Sequence, residues 1–363
     1  MSVLGTSEYQ LTISALSATQ PTFIIEKHQI RHVENTIGTK MDMADGAGRM
    51  SLALASLVSK YLGLDDVPCA FQARIGGCKG MWMIDLQTPT SDEIWLETWP
   101  SQRKFDCLYD DSSHRCFEVC RWPKALQTAS LNPQLIVILE QNASDKKAMR
   151  LCFARLLAGS FRDELTSLQQ SIDKPADVRA WVRRVGKSGD RTSHGHLKYL
   201  AGAPQFIGDE IGVMLDHGFD LHQKYLCDLV TNLVTQKAED LKDKIKITVP
   251  RSTTAFMLPD FWGFLEEGEV ACTFSKQMKT SDGWFDNLLE GDVLVARNPA
   301  HTIGDIQKVR AVIIPELRKM KDVIFFSTKG SIPLADKLSG GDYDGDQAMI
   351  IWYVMLQVTG IPR

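Results

Sequence analysis

Ser339-Gly340-Gly341-Asp342-Tyr343-Asp344-Gly345-Asp346 sets three carboxylates at positions i, i+2 and i+4 with no cation among them. Like charges that close repel unless something positive sits between them. Alternation along an extended segment would aim all three side chains to one side, and the flanking glycines let the backbone turn tightly there. An all-oxygen donor set of this kind suits Mg²⁺, a hard cation that takes carboxylates together with substrate phosphate. Two rival readings apply. A calcium-binding EF-hand loop needs Gly at its sixth position and Glu at its twelfth, but counting from Asp342 those positions hold Gln347 and Tyr353, so that reading fails. A plain acidic turn stays open. Against it, Phe325, Phe326 and Ile332 before the acids and the apolar run 348–352 after them imply partial burial, and buried carboxylates without a partner are costly.

Working outward, a second segment brings complementary charge. In Pro68-Cys69-Ala70-Phe71-Gln72-Ala73-Arg74-Ile75-Gly76-Gly77-Cys78-Lys79-Gly80, Gln72 and Arg74 fall on one strand face opposite Phe71, Ala73 and Ile75. Lys79 is expected in a glycine turn with nothing shielding its ammonium. Cations on rigid strand ends suit triphosphate binding, Lys as a point charge and Arg as a two-pronged fork. A hairpin with exposed basic residues accounts for the same pattern, and both readings stand at this point.

Around these segments the chain alternates in character. Residues 20–125 read as an all-β module, with strand-like runs at Phe23-Ile24-Ile25, Ala70–Ile75 and 81–84 between glycine turns. Helical spacing takes over at 132–244, where Leu151, Ala154, Arg155, Ala158 and Phe161, then Leu226, Leu229, Val230, Leu233 and Val234, recur at three and four. Strands return at 245–249, 270–274, 292–296 and Val323–Phe326, and the run 348–356 reads as a closing strand. The expected divisions are 1–125, 126–244 and 245–363. Within the helical part, residues 179–198 carry Arg179, Arg183, Arg184, Lys187, Arg191 and Lys198 against Asp190 alone, a flexible basic loop that serves either as a phosphate-backbone contact or as a solvated surface. His194-Gly195-His196 has no partner at ligand spacing and reads as loop.

With 363 residues, two or three folded units fit at about 150 residues each. The 44% hydrophobic and 24% charged content excludes a disordered or low-complexity chain. A net charge of −4 offers polyanions no global attraction, so any nucleic-acid contact must be local. No signal-peptide pattern opens the chain, and no apolar run approaches the roughly 20 residues a membrane helix needs. The eight cysteines form no Cys-x-x-Cys pair and read as reduced cytoplasmic or nuclear thiols.

Taken together, the segments resemble the cellular RNA-dependent RNA polymerases of eukaryotic RNA silencing, and the fungal branch in particular. The resemblance runs in order through Asp45-Gly46-Ala47-Gly48-Arg49-Met50-Ser51, the 68–80 segment, Gln102-Arg103-Lys104-Phe105, Val249-Pro250-Arg251-Ser252, Leu265-Glu266-Glu267-Gly268-Glu269, Ala296-Arg297-Asn298-Pro299 with Gly304-Asp305, and 339–346. It implies an α+β fold of two double-psi β-barrels facing an active-site cleft, joined by a largely helical insert. It further implies that Asp342, Asp344 and Asp346 hold catalytic Mg²⁺, with Mn²⁺ as an alternative, and that Arg74, Lys79, Lys104 and Arg297 hold phosphates. The implied partners are a single-stranded RNA template, single-stranded DNA as a second template, nucleoside triphosphates, and the Dicer and Argonaute silencing proteins. A homodimer is left open and no membrane is involved. Two departures stand out. Ala47 replaces the cysteine expected in most relatives, and the chain stops 17 residues after Asp346, where relatives continue. A core truncated at its carboxyl end is therefore expected, with an inactive RNA-binding remnant as the alternative function.

Overall fold

A computed structural model describes residues 22–38, 40–87, 92–172, 175–185, 204, 206–243, 245–280, 283–285 and 287–357. Among these, the residues of 1–129, 137–149 and 249–363 form one compact unit, and those of 130–136 and 150–248 form a second.

The first unit opens with β1 (Thr22–Ile24), β2 (Ile30–His32) and β3 (Ala47–Met50), continues through helix α1 (Leu52–Tyr61), and adds β4 (Ala70–Ile75), β5 (Cys78–Ile84), β6 (Leu96–Thr98) and β7 (Cys116–Arg121). These strands make one seven-stranded sheet in the order β1-β7-β4-β5-β3-β6-β2. Antiparallel β4 and β5 pair Ile75 with Cys78, leaving Gly76-Gly77 as a two-residue turn. The all-β expectation for this stretch is corrected by α1. Ser51 caps it, accepting a hydrogen bond from the Leu54 N–H at 3.2 Å, and Leu54, Ala55, Val58 and Ser59 form its buried face.

In the second unit, β8 (Ser130–Leu131) pairs with β9 (Ile247–Thr248). The helices in the intervening sequence are α2 (Pro133–Asn142), α3 (Lys146–Ile172), α4 (Pro175–Val185), α5 (Ile207–Asp216) and α6 (Lys224–Asp243). Val178, Trp181 and Val182 of α4 are buried with Ile211 of α5 and Leu226, Val230 and Leu233 of α6. The flexible-loop expectation for 179–198 therefore fails at its start: Arg179 and Arg183 lie within α4, whose apolar face is packed, and Arg179 bonds Asp216 at 2.7 Å. Lys187, Arg191, Lys198 and His194-Gly195-His196 lie outside the described residues.

The first unit resumes with β10 (Ser252–Pro259), β11 (Glu269–Cys272), a ribbon of β12 (Met278–Thr280) and β13 (Gly283–Phe285), then β14 (Gly291–Arg297), β15 (Ile306–Ala311) and β16 (Val323–Phe326). A short helix α7 (Leu334–Lys337), the acidic loop, β17 (Gln347–Ile351) and α8 (Val354–Gln357) follow. Six of these strands close into a barrel, β10-β16-β11-β15-β14-β17. The run 348–356 is thus not one strand. β17 stops at Ile351, which pairs with Ser252, the first residue of β10; past Trp352 and Tyr353 the chain turns into α8.

Both sheets are barrel-like and mix parallel with antiparallel pairs, as double-psi barrels do; hydrogen bonds close the second. Period-two alternation explains how the two sheets meet. Ala255, Met257, Val270, Cys272, Ile324 and Phe326 point into the closed barrel. Their neighbours Phe256, Leu258, Ala271, Val323 and Phe325 point the other way and pack with Ala70, Met81 and Met83 of the first sheet. Fully burying each such Val, Leu or Phe is worth about 1.5–3 kcal/mol, so this shared layer fixes the two sheets against each other.

Candidate active site

The acids sit where the chain leaves α7 for β17, on the side of the barrel that meets the first sheet. Tyr343 is 1% exposed and belongs to the barrel core, its ring 6.2 Å from that of Phe326 in an edge contact. Burying this ring leaves Asp342 and Asp344 on the opposite side of the backbone, each half-buried. The segment is a hydrogen-bonded turn rather than the extended stretch expected from alternation. Asp342 Oδ1 accepts the Asp344 N–H at 3.1 Å, and Asp346 Oδ2 accepts the Asp342 N–H at 3.2 Å. Gly345 has φ 128°, which only glycine adopts readily, and a side chain there would overlap Gln72. The result is that one carboxylate oxygen from each of Asp342, Asp344 and Asp346 lies within 4.8 Å of the others.

The first sheet grips this turn from across the shared layer. The Asp45 carbonyl accepts the Tyr343 N–H at 2.8 Å, Gln72 Nε2 donates to the Asp344 carbonyl at 2.9 Å, and Arg121 donates to the Gly345 carbonyl at 3.3 Å. Arg121 in turn donates to Gln72 Oε1 at 2.6 Å. Lys79 Nζ pairs with Asp344 Oδ2. Its ammonium is therefore not unshielded, and Lys79 lies in β5 rather than in the turn. From the second sheet, Arg297 Nε pairs with Asp346 Oδ2 at 2.8 Å and its Nη1 donates to the Ser339 carbonyl at 3.1 Å.

Of the four cations read from sequence, Lys79 and Arg297 touch the acids. Lys104 donates to the Ser101 carbonyl at 2.9 Å and acts on Asp344 through its charge. Arg74 is exposed, stands opposite Lys79 in the β4–β5 register and opposite Glu118 in the β4–β7 register, and makes no ion pair among the described residues. Sequence reasoning missed Arg121 and the structural part played by Gln72. Gln72 was already placed on the same face as Arg74; Arg121 carried only the weak signal of a basic-aromatic run, Arg121-Trp122-Pro123-Lys124.

The electrostatics are those of acids held together against repulsion. Burial, with Asp344 and Asp346 nearby, pushes Asp342 up to about 6. Burial also works to raise Asp344, but the hydrogen bonds from Lys79 and Asp342 and the charges of Lys79 and Lys104 outweigh it and hold Asp344 below the ordinary carboxylate range. The bond to Asp344 raises Lys79 correspondingly. Free of metal, the triad takes up a proton on Asp342 only as the pH falls toward about 6, and it meets two cations. The donor set is all carboxylate oxygen, convergent and flanked by cations suited to phosphate, which fits a hard divalent ion shared with a phosphorylated substrate.

The sequence profile described as RNA dependent RNA polymerase matches residues 12–362. RNA-dependent RNA polymerase 2 of Arabidopsis thaliana is 27% identical over 93% of this chain and 28% of its own length. RNA-dependent RNA polymerase 1 of Schizosaccharomyces pombe is 28% identical over 85% of this chain and 24% of its own. Among solved structures, RNA dependent RNA polymerase QDE-1 from Thielavia terrestris superposes with a TM-score of 0.84 at 42% identity, over 94% of this chain and 37% of that one. The chain spans about a quarter of the length of the curated relatives it matches. Because the profile runs through nearly every residue from the first sheet to the acidic turn and beyond, the chain belongs to the RNA-dependent RNA polymerase family.

Proposed function

We propose that this chain is the catalytic core of a template-directed RNA polymerase, copying single-stranded RNA, and single-stranded DNA as a second template, by nucleotidyl transfer to a 3′-hydroxyl with release of pyrophosphate. The observation that carries the reading is the meeting of the Asp342-Asp344-Asp346 triad with Lys79 of the first sheet and Arg297 of the second. Asp342, Asp344 and Asp346 are the groups that would hold Mg²⁺ or Mn²⁺. When bound, such ions supply Lewis acidity that lowers the pKa of the attacking hydroxyl and offsets charge on the phosphates.

The protein's own residues do the rest. Lys79 and Arg297 are placed to transfer their charge from carboxylate to incoming phosphate, and Lys104 and Arg74 extend the positive field on the first sheet. Gln72, Arg121 and the Asp45 carbonyl hold the backbone of the acidic turn, so the carboxylates are positioned before substrate arrives. The resemblance to the silencing polymerases implies Dicer and Argonaute proteins as functional partners, a cytoplasmic or nuclear setting and a homodimer as the assembly to test. Among the described residues no helix is long and apolar enough to cross a membrane.

The test is incorporation of labelled nucleotides by the purified 363-residue chain on single-stranded RNA with Mg²⁺ or Mn²⁺. Product that disappears in Asp344→Ala while the melting temperature holds supports the assignment. Full activity in that variant rejects it. Salt-sensitive RNA binding without incorporation under either metal would instead assign the chain as an inactive RNA-binding remnant.

A further inference from the structure

Lys104 belongs to the proposed phosphate field, but its neighbours Arg103 and Phe105 have no part in it. Arg103 forms an antiparallel bridge with Cys78, and the Lys104 N–H donates to the Gly77 carbonyl at 2.8 Å. The Phe105 carbonyl fills the place a side chain on Gly77 would need. Residues 103–105 therefore run as an added extended stretch along the hairpin. In such a stretch successive side chains point to opposite faces, so Arg103 and Phe105 leave the side on which Lys104 acts upon Asp344. On their own side they line a cavity of about 580 Å³ together with His32 and Tyr109, within the 300–1,000 Å³ range of small-ligand sites.

The lining has the chemistry of a nucleotide site. Phe105 is 63% exposed and presents a free aromatic face. The rings of His32 and Tyr109 stand 4.8 Å apart at 53°. Aromatic faces stack on any base, independent of sequence. Arg103 makes no ion pair among the described residues, and its guanidinium suits a phosphate bidentately. His32 commits Nδ1 to Thr98 Oγ1 at 2.7 Å, leaving its other ring nitrogen for a base edge; burial, then the charge of Arg103, lowers its pKa and favours the neutral ring. Glu34 and Asp106 also line the cavity. Two carboxylates repel a triphosphate but tolerate the single charge of a phosphodiester, and they can accept from exocyclic amines. The balance favours a nucleotide within a strand over a free nucleoside triphosphate.

We propose that this cavity is a second RNA site, separate from the acidic triad, which takes one unpaired nucleotide of single-stranded RNA with its base on Phe105 and its phosphate on Arg103. The choice of RNA rests on the polymerase reading; the nucleotide chemistry does not. The experiment is photocrosslinking of the full chain to a 5-iodouridine-substituted single-stranded RNA in EDTA, with peptide mapping and a binding titration. The crosslink is expected at Phe105 or Tyr109. Phe105→Ala is expected to weaken RNA binding about 5- to 150-fold at unchanged melting temperature, the range that loss of one stacked base implies. Phe105→Trp is expected to keep the affinity, and UMP in hundredfold excess to leave the RNA bound. Wild-type affinity in both Phe105→Ala and Arg103→Ala, or a crosslink mapped elsewhere, overturns the site. Displacement by UMP in a Phe105-dependent manner overturns the strand assignment in favour of a free-nucleotide pocket. Asp344→Ala separates the two readings: it should lose incorporation and keep the crosslink, whereas a chain that incorporates nucleotides without the crosslink sinks this inference alone.

Discussion

The two sheets of the first unit treat charge differently. In the closed barrel, the acids ride on a turn whose central residue, Tyr343, is buried in the core, so the carboxylates are fixed by packing as much as by hydrogen bonds. In the seven-stranded sheet, the cations sit on exposed strand ends: Lys79 and Arg74 face one another across the β4–β5 hairpin, and like charges opposed in this way destabilise a sheet unless an anion relieves them. Lys79 finds that anion in Asp344. The closed barrel thus carries the repelling acids with one cation of its own, Arg297, and the seven-stranded sheet brings Lys79, so the acids are relieved from both sheets. A site assembled so is complete only when both sheets are in place, and a phosphate or a divalent ion can enter by substituting for one of the native partners.

Four substitutions test this contrast, in order of expected effect. Asp344→Ala removes the acid that pairs with Lys79 of the first sheet; nucleotide incorporation should fall by about 10³-fold or more, beyond the 10²–10³ cost of one transition-state donor, with little change in melting temperature. Asp260→Ala acts on the closed barrel's stability. Its carboxylate accepts backbone N–H bonds from Trp262, Gly263 and Leu265 at 3.2, 3.1 and 2.7 Å, and orphaning these donors, that of Leu265 buried and the other two part-buried, should cost about 3 kcal/mol in denaturant unfolding. Arg297→Ala removes the second sheet's own cation, and incorporation should drop about 10²-fold, with Arg297→Lys restoring part of it because one of the two bonds to Asp346 and Ser339 is lost. Gln72→Ala removes one of the first sheet's holds on the acidic turn. Activity should decrease about tenfold, as expected when a positioning bond is lost, while metal-free stability changes by less than about 1 kcal/mol. If Gln72→Ala proved as damaging as Asp344→Ala, the turn would depend on the first sheet for its shape and the contrast drawn here would fail.

Strand alternation made Gln72 and Arg74 legible as one face of β4, and Val323–Phe326 as a strand apolar at every position, because period-two burial is written directly in residue type. The helix α1 escaped notice because its buried positions, Leu54, Ala55, Val58 and Ser59, include two small residues that give only a weak apolar stripe. The run 348–356 was over-extended because apolarity does not record where a partner strand ends. Lys79 was read as unshielded because its partner lies 265 positions along the chain, a separation that no local pattern can report.

The acidic motif, its oxygen chemistry and the nearby supply of cations were determined by the sequence alone, since they depend on which side chains exist and how closely they are spaced. Tertiary structure decided which cations reach which acids. Lys79 and Arg297 meet the triad while Arg74 does not, because that outcome turns on the layer of Phe256, Leu258, Val323 and Phe325 packing against Ala70, Met81 and Met83. Side chains distant in sequence acquire a common position only when such a layer is buried, and the free energy that brings them together comes from that burial rather than from the charges themselves.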